Sequence, residues 1–191
     1  MKWLTRILFA AIIIVIALFG ISFLLPSTSV VQRSITINKD PRYVYAILNN
    51  LRSYDKWMTW NQMDPEWKVS KSANTIGEGA FYTWQSKSKN VGNGYFSINK
   101  CVPYKEIICH LNFDGMGTFE NSFFIDGNTT SCTVKWRMKA DFSKASFLNC
   151  FMNKWMSQIG SFDSMAGREF EKSLANMKSL AESPDGIVYQ Q

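Results

Sequence analysis

The sequence predicts an α+β fold in which a curved antiparallel sheet of seven strands wraps around one long C-terminal helix. Three observations support this fold class. Residues 31–60 pass from a strand period to a helix period, a series of short strand-like segments follows, and a long amphipathic pattern comes last. A curved sheet and an amphipathic helix each have an apolar face, so the two faces are expected to bury each other.

The first element is an apolar segment long enough to cross a membrane. Lys2 and Arg6 precede residues 7–25, which are 19 residues without charge whose polar member is Ser22. A bilayer core requires about 20 such residues. A cleavable signal peptide has a shorter apolar region, and the residues that follow match a cleavage site poorly. We therefore predict an uncleaved signal anchor, a transmembrane helix, over residues 1–26.

Charge gives the expected orientation of this anchor. Lys2 and Arg6 favour a cytoplasmic N-terminus, which places the domain on the periplasmic side of the inner membrane in a single-pass topology. Arg33, Lys39 and Arg42 lie soon after the segment and oppose that orientation. The remaining chain has 19 basic and 15 acidic residues, a net charge of +4. This charge fits either a soluble surface or proximity to anionic lipid, and no basic cluster indicates nucleic-acid binding.

The segment after the anchor reads as a strand followed by two short helices. Val31, Arg33, Ile35 and Ile37 alternate with polar residues, as in a half-buried strand. Asp40 and Pro41 then provide a helix cap and a first helical residue, and apolar residues recur at helical spacing over residues 41–51. Asp55 is a second plausible cap, before Trp57 and Trp60 on another short helix.

The middle of the chain alternates short strands with turns. The predicted strands are residues 68–72, 79–86, 92–101, 106–113, 118–126 and 129–140. Asp126-Gly127-Asn128 lies between two alternating runs and is the clearest hairpin signal. Short connections make each neighbouring pair antiparallel, so these strands form one meander.

A helical pattern returns near the C-terminus. Apolar residues spaced by three or four positions from Phe162 to Leu180 predict a helix of about twenty residues, roughly 30 Å long. Residues 27–183 thus form one domain, and residues 184–191 are expected to be a flexible tail. Before the helix, Phe147, Leu148, Phe151, Trp155 and Met156 make an apolar patch that acts as a lid or dips into lipid.

The order of these elements and several motifs resemble the START-like (SRPBCC) superfamily, whose fold is called helix-grip. The resemblance is strongest to its membrane-anchored bacterial branch, named after polyketide cyclases, dehydrases and lipid-transport proteins. The matching motifs are RSITI (33–37), WMTWN (57–61), YTW (82–84), VGNG (91–94), TVKWRM (133–138) and GREFEKSLANMK (167–178). The resemblance implies the helix-grip fold and a hydrophobic cavity, but it does not imply a known reaction. Ser173 departs from the pattern, since relatives carry glycine there, and it is expected to narrow that end of the cavity.

Few residues suit catalysis or metal binding. The four cysteines, Cys101, Cys109, Cys132 and Cys150, lack zinc-site spacing. They are expected to be small buried hydrophobes, with one bridged pair as the alternative in an oxidising compartment. The one histidine, His110, has the phase opposite to its apolar neighbours and is expected to point outward. We predict no catalytic residue, no metal and no cofactor.

The predicted ligand site is the inner face of the sheet together with the long helix. A charge at Arg33 is costly on an apolar strand face unless it is paired. Arg33 therefore either binds a ligand carboxylate or phosphate, or lies at the strand's start and reaches water. The predicted lining residues are Arg33, Trp57, Trp60, Tyr82, Trp84, Phe96, Ile98, Leu111, Phe113, Trp136, Met138, Met165 and Phe170.

Such a lining suits a hydrophobic or amphipathic small molecule, for example a lipid. The leading hypothesis is therefore a membrane-anchored domain that binds this ligand without chemistry. A polyketide cyclase/dehydrase-like enzyme using Tyr82 or Arg33 is the first alternative, and an envelope protein-interaction module is the second. For each lining residue, filling a dry core is the competing interpretation.

Overall fold

The computed structural model describes residues 2–88, 91–114 and 117–184, and it confirms the predicted fold class. The strands are β1 (Thr28–Ile37), β2 (Lys68–Lys71), β3 (Phe81–Gln85), β4 (Gly94–Val102), β5 (Glu106–Phe113), β6 (Gly117–Gly127) and β7 (Cys132–Asp141). The helices are α1 (Lys2–Leu24), α2 (Pro41–Leu48), α3 (Tyr54–Trp57), α4 (Phe147–Gln158) and α5 (Ser161–Glu182), with a 3₁₀ turn at Thr59–Gln62. Of the predicted tail, residues 185–191 lie outside the described part of the chain.

The strands form one sheet in the order β1-β7-β6-β5-β4-β3-β2, and every neighbouring pair is antiparallel. Strands β2 to β7 follow one another as the predicted meander. Strand β1 pairs with β7, with Arg33 opposite Trp136, so the first and last strands are neighbours. The connection from β1 to β2 therefore has to cross the width of the sheet, and it carries α2, α3 and the 3₁₀ turn.

Helix α2 begins as predicted but ends earlier. The Asp40 side chain accepts a hydrogen bond from the backbone N–H of Arg42 at 2.8 Å, and Pro41 is the first helical residue. The helix ends at Leu48 instead of Leu51, because Asn49 caps it and Asn50 forms an isolated bridge with the chain before β3.

The predicted second cap, Asp55, is wrong. Ser53 precedes α3, and Asp55 lies in its first turn, where one carboxylate oxygen accepts from the Asn61 side chain at 3.0 Å. The predicted second helix is also divided, since α3 ends at Trp57 and Trp60 belongs to the separate 3₁₀ turn.

The hairpin between β6 and β7 is present, with a later start to β7 than predicted. β7 begins at Cys132 because the Asn128 side chain accepts from the backbone N–H groups of Thr130 and Ser131. These bonds hold Thr129 to Ser131 in a turn instead of the sheet.

Helix α5 lies against the concave face of the sheet and supplies the buried residues Phe162, Phe170, Leu174 and Met177. The preceding helix α4 was not predicted as a separate element. It ends at Gln158, and Gly160, whose φ of 72° is left-handed, separates it from α5.

Helix α1 is long and apolar enough to cross a membrane. Three residues, 25–27, separate it from β1, and the carbonyl of Ser27 accepts from the backbone N–H of Phe142 at 2.8 Å. Most of α1 is exposed, but Ser22 is buried against α4. The polar member of the apolar run thus faces protein.

Candidate functional site

The space between the sheet and α5 is lined mainly by aromatic rings. Trp136 on β7 stacks on Phe170 of α5, with ring centroids 3.8 Å apart and an interplanar angle of 6°. Trp57 from α3 meets Trp136 and Phe123 edge-on at 5.9 and 6.1 Å. Edge-to-face and stacked pairs of this kind are the favourable aromatic arrangements. These contacts join the sheet, the crossover connection and α5 into one interior.

A second group of rings, which we call the Trp60 cluster, consists of Trp60, Tyr82, Trp84 and Phe113. The centroid of Trp60 lies 4.9 Å from Phe113, and Trp84 lies 5.3 Å from Phe113 and 5.8 Å from Tyr82. The 3₁₀ turn therefore covers the β3 to β5 end of the sheet with an aromatic surface.

The indole N–H of Trp60 is buried and finds no acceptor among the described residues. A buried donor without an acceptor costs about 1–3 kcal/mol. By contrast, the indole N–H of Trp136 donates to the Asn121 side chain at 2.9 Å. The Trp60 cluster thus contains one polar group whose hydrogen-bonding capacity is unused within the described structure.

Tyr82 contributes the hydroxyl of the Trp60 cluster. It donates to the side-chain oxygen of Asn61 at 3.5 Å, and Asn61 in turn donates to Asp55, which also pairs with Lys71. Burial, followed by the nearby Asp55 charge, raises the pKa of Tyr82 far above its ordinary value. Tyr82 is therefore a neutral phenol that can donate a hydrogen bond.

The predicted lining residues occupy different environments. The buried ones are Trp57, Tyr82, Trp84, Phe96, Ile98, Phe113, Trp136, Met138 and Phe170. Trp60 and Leu111 are half-buried and pack against the same core. Met165 is 50% exposed, so it does not close the interior from the helix. His110 is exposed, as its strand phase predicts.

Arg33 does not lie at the start of its strand, as one of its two expected positions required. It lies in the middle of β1, and its guanidinium pairs with Asp163 at 3.0 Å and Glu171 at 2.7 Å, both on α5. Gly167 makes this crossing possible, since a Cβ there would come within 2.0 Å of the Arg33 guanidinium. These two carboxylates raise the pKa of Arg33, and they occupy the donors that a ligand anion would need.

Ser173 holds the 3₁₀ turn against α5. Its hydroxyl oxygen accepts from the backbone N–H of Thr59 at 3.1 Å and lies 2.9 Å from the Thr59 hydroxyl. Ser173 is itself buried. Ser173, the position at which the sequence departs from the family pattern, therefore holds in place the turn that carries Trp60.

Several interior residues were missed at the sequence level. Asn121 shares the apolar phase of β6 with Phe119 and Phe123, which is the signal that could have identified it. Tyr54 is fully buried and its hydroxyl donates to the carbonyl of Leu48 at 3.0 Å. Its contact with the sheet depends on the path of the crossover connection, which the sequence pattern does not specify.

Two clefts lie outside this interior. One of about 500 Å³ is on the outer face of the sheet between β2 and β5, where Ser70, Thr83, Tyr95 and Asn112 form a cross-strand row. The other, of about 350 Å³, lies between α1 and α4. In the interior, the rings described above contact one another.

No family model and no curated protein match the chain. Solved structures do match. Norcoclaurine synthase from Thalictrum flavum, in complex with dopamine and hydroxybenzaldehyde, aligns with a TM-score of 0.56 and 9% identity over 84% of this chain and 90% of its own. Protein CV1439 from Chromobacterium violaceum aligns with a TM-score of 0.53 and 13% identity over 83% and 99%. Protein BH1534 from Bacillus halodurans aligns with a TM-score of 0.55 and 8% identity over 81% and 97%.

These neighbours fit the SRPBCC, or helix-grip, superfamily. At such low identity the likeness concerns the backbone arrangement, and it agrees with the sheet order and the position of α5 described above. The chain is a protein of the helix-grip fold.

Proposed function

We propose that this protein is a membrane-anchored helix-grip domain that binds a hydrophobic or amphipathic small molecule between its sheet and α5. The observation that carries the proposal is the Trp60 cluster, an aromatic surface with a buried indole N–H that lacks an acceptor among the described residues. Apolar walls with a few placed polar groups are typical of small-molecule sites. The preferred ligand has a flat apolar body and one acceptor oxygen.

The buried ionisable groups of the interior suit hydrogen-bond donation to a ligand better than proton abstraction from it. The ionisable groups buried there include Tyr54, Tyr82 and Cys109, and burial is the main cause that raises the pKa of each. At neutral pH these groups remain protonated and act as donors instead of bases. Arg33, the other polar candidate for an enzyme, is engaged by Asp163 and Glu171.

Because the rings of the interior are buried, ligand entry requires one element to move. The 3₁₀ turn is the element best placed to move, since it carries Trp60 over the other rings of the Trp60 cluster. The contacts of Thr59 with Ser173 hold the turn against α5, and their opening would release it. Outward movement of this turn would uncover Phe113 and Trp84 while leaving the sheet intact.

Helix α1 is the proposed anchor, with Lys2 and Arg6 in the cytoplasm and the domain in the periplasm. Tethering is useful for a ligand that partitions into lipid, because the anchor keeps the site where the ligand is concentrated. A reporter enzyme fused after Gln191 tests the orientation. Activity of a reporter that works only in the cytoplasm would contradict it.

Native mass spectrometry of the domain from Pro26 onward tests ligand binding directly. None of the described core residues precedes Val31, so removal of α1 leaves the core complete. The expected result is a co-purified lipophilic molecule or saturable binding of fluorescent fatty-acid and sterol probes. Consistently empty protein that binds none of these probes would contradict the proposal.

Trp60→Phe tests the specific role of the indole N–H. This change retains an aromatic ring and removes the donor, so binding of an oxygen-bearing ligand should weaken by up to about tenfold, the value of one hydrogen bond. Trp67→Phe is the matched control, because Trp67 contacts Trp84 at 6.1 Å outside the 3₁₀ turn. Turnover of a candidate substrate that disappears in Tyr82→Phe would favour the enzyme alternative.

A further inference from the structure

We propose that α4 is an in-plane membrane helix whose apolar face lies in the outer part of the bilayer beside α1. This inference rests on the proposed anchoring by α1 and adds a second, independent lipid contact. The apolar face of α4, which is not part of the proposed ligand site, would contact the lipid surface.

The apolar residues of α4 occupy one side of the helix. Phe147, Phe151 and Trp155 are spaced by four positions, with Leu148 and Met152 beside them, so they form one stripe. The start of this stripe is unusually exposed, at 69% for Phe147 and 60% for Leu148, whereas Phe151 and Trp155 are half-buried, and Ile159 just after the helix is 71% exposed. None of the α4 residues is buried.

α4 contacts α1 a short distance before the end of α1, and this distance matches the depth to which interfacial helices enter a bilayer. The Phe19 ring lies 4.5 Å from Phe151 and 6.0 Å from Phe147, and the Lys154 ammonium donates to the carbonyl of Ser22 at 3.1 Å. Phe19 is about 7.5 Å from the end of α1 at Leu24, at a rise of 1.5 Å per residue. Amphipathic interfacial helices bury their apolar face by about 5–10 Å.

Charge near α4 also suits a lipid surface. Residues 142–162 contain Lys144 and Lys154 and no acidic residue. Cations next to an anionic membrane surface contribute about 1 kcal/mol each. Trp155 belongs to the same stripe, and its indole N–H is buried without an acceptor among the described residues.

The cleft between α1 and α4 supports lipid as the occupant over a second protein copy. Its volume is about 350 Å³, and it is lined by the apolar side chains Leu18, Phe151, Met152, Trp155 and Met156. A groove that opens beside a transmembrane helix suits an acyl chain of the surrounding bilayer. A second copy covering the face is the outcome that would overturn this assignment.

Tryptophan quenching in vesicles tests the inference with the full chain. The protein is reconstituted in equal parts of phosphatidylcholine and phosphatidylglycerol, with or without bromine on the acyl chains. Trp3→Phe first removes the α1 tryptophan. The expected result is that brominated lipid still quenches this variant, that Trp155→Phe removes most of the remaining quenching, and that the domain variant Trp67→Phe retains it.

A second pair of variants covers the case in which loss of Trp155 disturbs folding. In the chain lacking Trp3 and Trp155, Leu148→Trp places a new indole on the exposed stripe, and Tyr95→Trp places one on the outer face of the sheet. Brominated lipid should quench the first new indole and leave the second unchanged. If neither is quenched, or if cross-linking shows a dimer that shields residue 148, the inference is wrong.

The same experiment separates this inference from the proposed anchoring. Quenching of Trp3 and retention of the protein in vesicles after an alkaline wash report on α1 alone. If Trp3 is quenched and the α4 positions are not, the anchor stands and the interfacial helix is wrong. Failure of ligand binding by the domain from Pro26 affects neither result.

Discussion

Arg33 shows what a single residue's sequence context can and cannot predict. Its place on the apolar phase of β1 indicates that the charge needs a partner. The partners, Asp163 and Glu171, are 130 and 138 residues away on α5. Because the strand period contains no information about distant residues, the sequence left this contact open. The ion pairs now explain Arg33 as a link between β1 and α5.

Replacing Arg33 with methionine should lower the free energy of unfolding by about 1 kcal/mol, because two half-exposed ion pairs are lost while the apolar stem is retained. Chemical denaturation measures the change. Lys100→Met is the matched control, since Lys100 forms a single pair with Glu106 on an exposed surface. An Arg33 effect no larger than that of the control would contradict the linking role.

Asp40 should make stability depend on acidity. Hydrogen bonds from the side chain and backbone of Arg42 hold its pKa below the ordinary value of about 4. A carboxyl group with a lowered pKa in the folded state stabilises the protein above its ordinary pKa, and this contribution disappears as pH falls through the folded value. Asp40→Asn should therefore lower Tm at neutral pH and reduce its loss on acidification. The control Asp126→Asn, in an exposed hairpin, should retain the acid dependence of the unaltered protein.

At the scale of elements, the crossover connection determines how the interior is closed. The sequence predicted a second short helix that carries both Trp57 and Trp60. It did not predict that α3 ends at Trp57 and a 3₁₀ turn begins at Thr59. That division depends on Ser173 of α5, which bonds to the start of the turn. A contact from another element thus overrides the local helical pattern.

Ser173→Ala should loosen the 3₁₀ turn. The backbone N–H of Thr59 loses its acceptor, so the free energy of unfolding is expected to fall by about 1–2 kcal/mol and a bound ligand should exchange faster. Ser179→Ala, at an exposed position of the same helix, controls for the change in helix propensity. Unchanged ligand exchange together with lower stability would mean that the turn is not the entrance.

Asn121 and Trp136 form a buried hydrogen-bonded pair, so the effect of replacing one residue should depend on whether the other is present. Asn121→Leu leaves the indole N–H of Trp136 without its acceptor and should cost about 2 kcal/mol. In that variant, Trp136→Phe removes the orphaned donor and should cost less than it does in the unaltered chain. A double-mutant cycle by chemical denaturation measures this coupling. Additive effects would show that the 2.9 Å contact contributes little.

At the scale of the molecule, the regular part of the fold was the predictable part. Strands β2 to β7 have clear turn residues between them, so their meander follows from local patterns. The pairing of β1 with β7 was not predicted, because it joins opposite ends of the domain. The inward-facing side chains of the strands were predictable from strand phase, because most of them are buried. The stacking of Phe170 on Trp136 and the exposure of Met165 depend on how α5 is seated, which periodicity does not determine.

Removal of residues 1–25 should leave a folded domain with altered association. The described core contains no residue of α1, so Tm should change little. The rings of Phe147 and Phe151 lose Phe19 and become more exposed, which favours self-association. Analytical ultracentrifugation should detect oligomers that Phe147→Ser reverses. A strictly monomeric domain would show that exposure of the Phe147 and Phe151 rings does not drive self-association.

The three residues between α1 and β1 leave almost no hinge. They span at most about 11 Å when extended, and the bond from Phe142 to Ser27 fixes their end to β7. With α1 as the proposed anchor, the start of β1 stays within about 11 Å of the end of the membrane segment. Under the proposed function, such a domain would exchange its ligand at the membrane that holds it, as a stationary receiver instead of a shuttle.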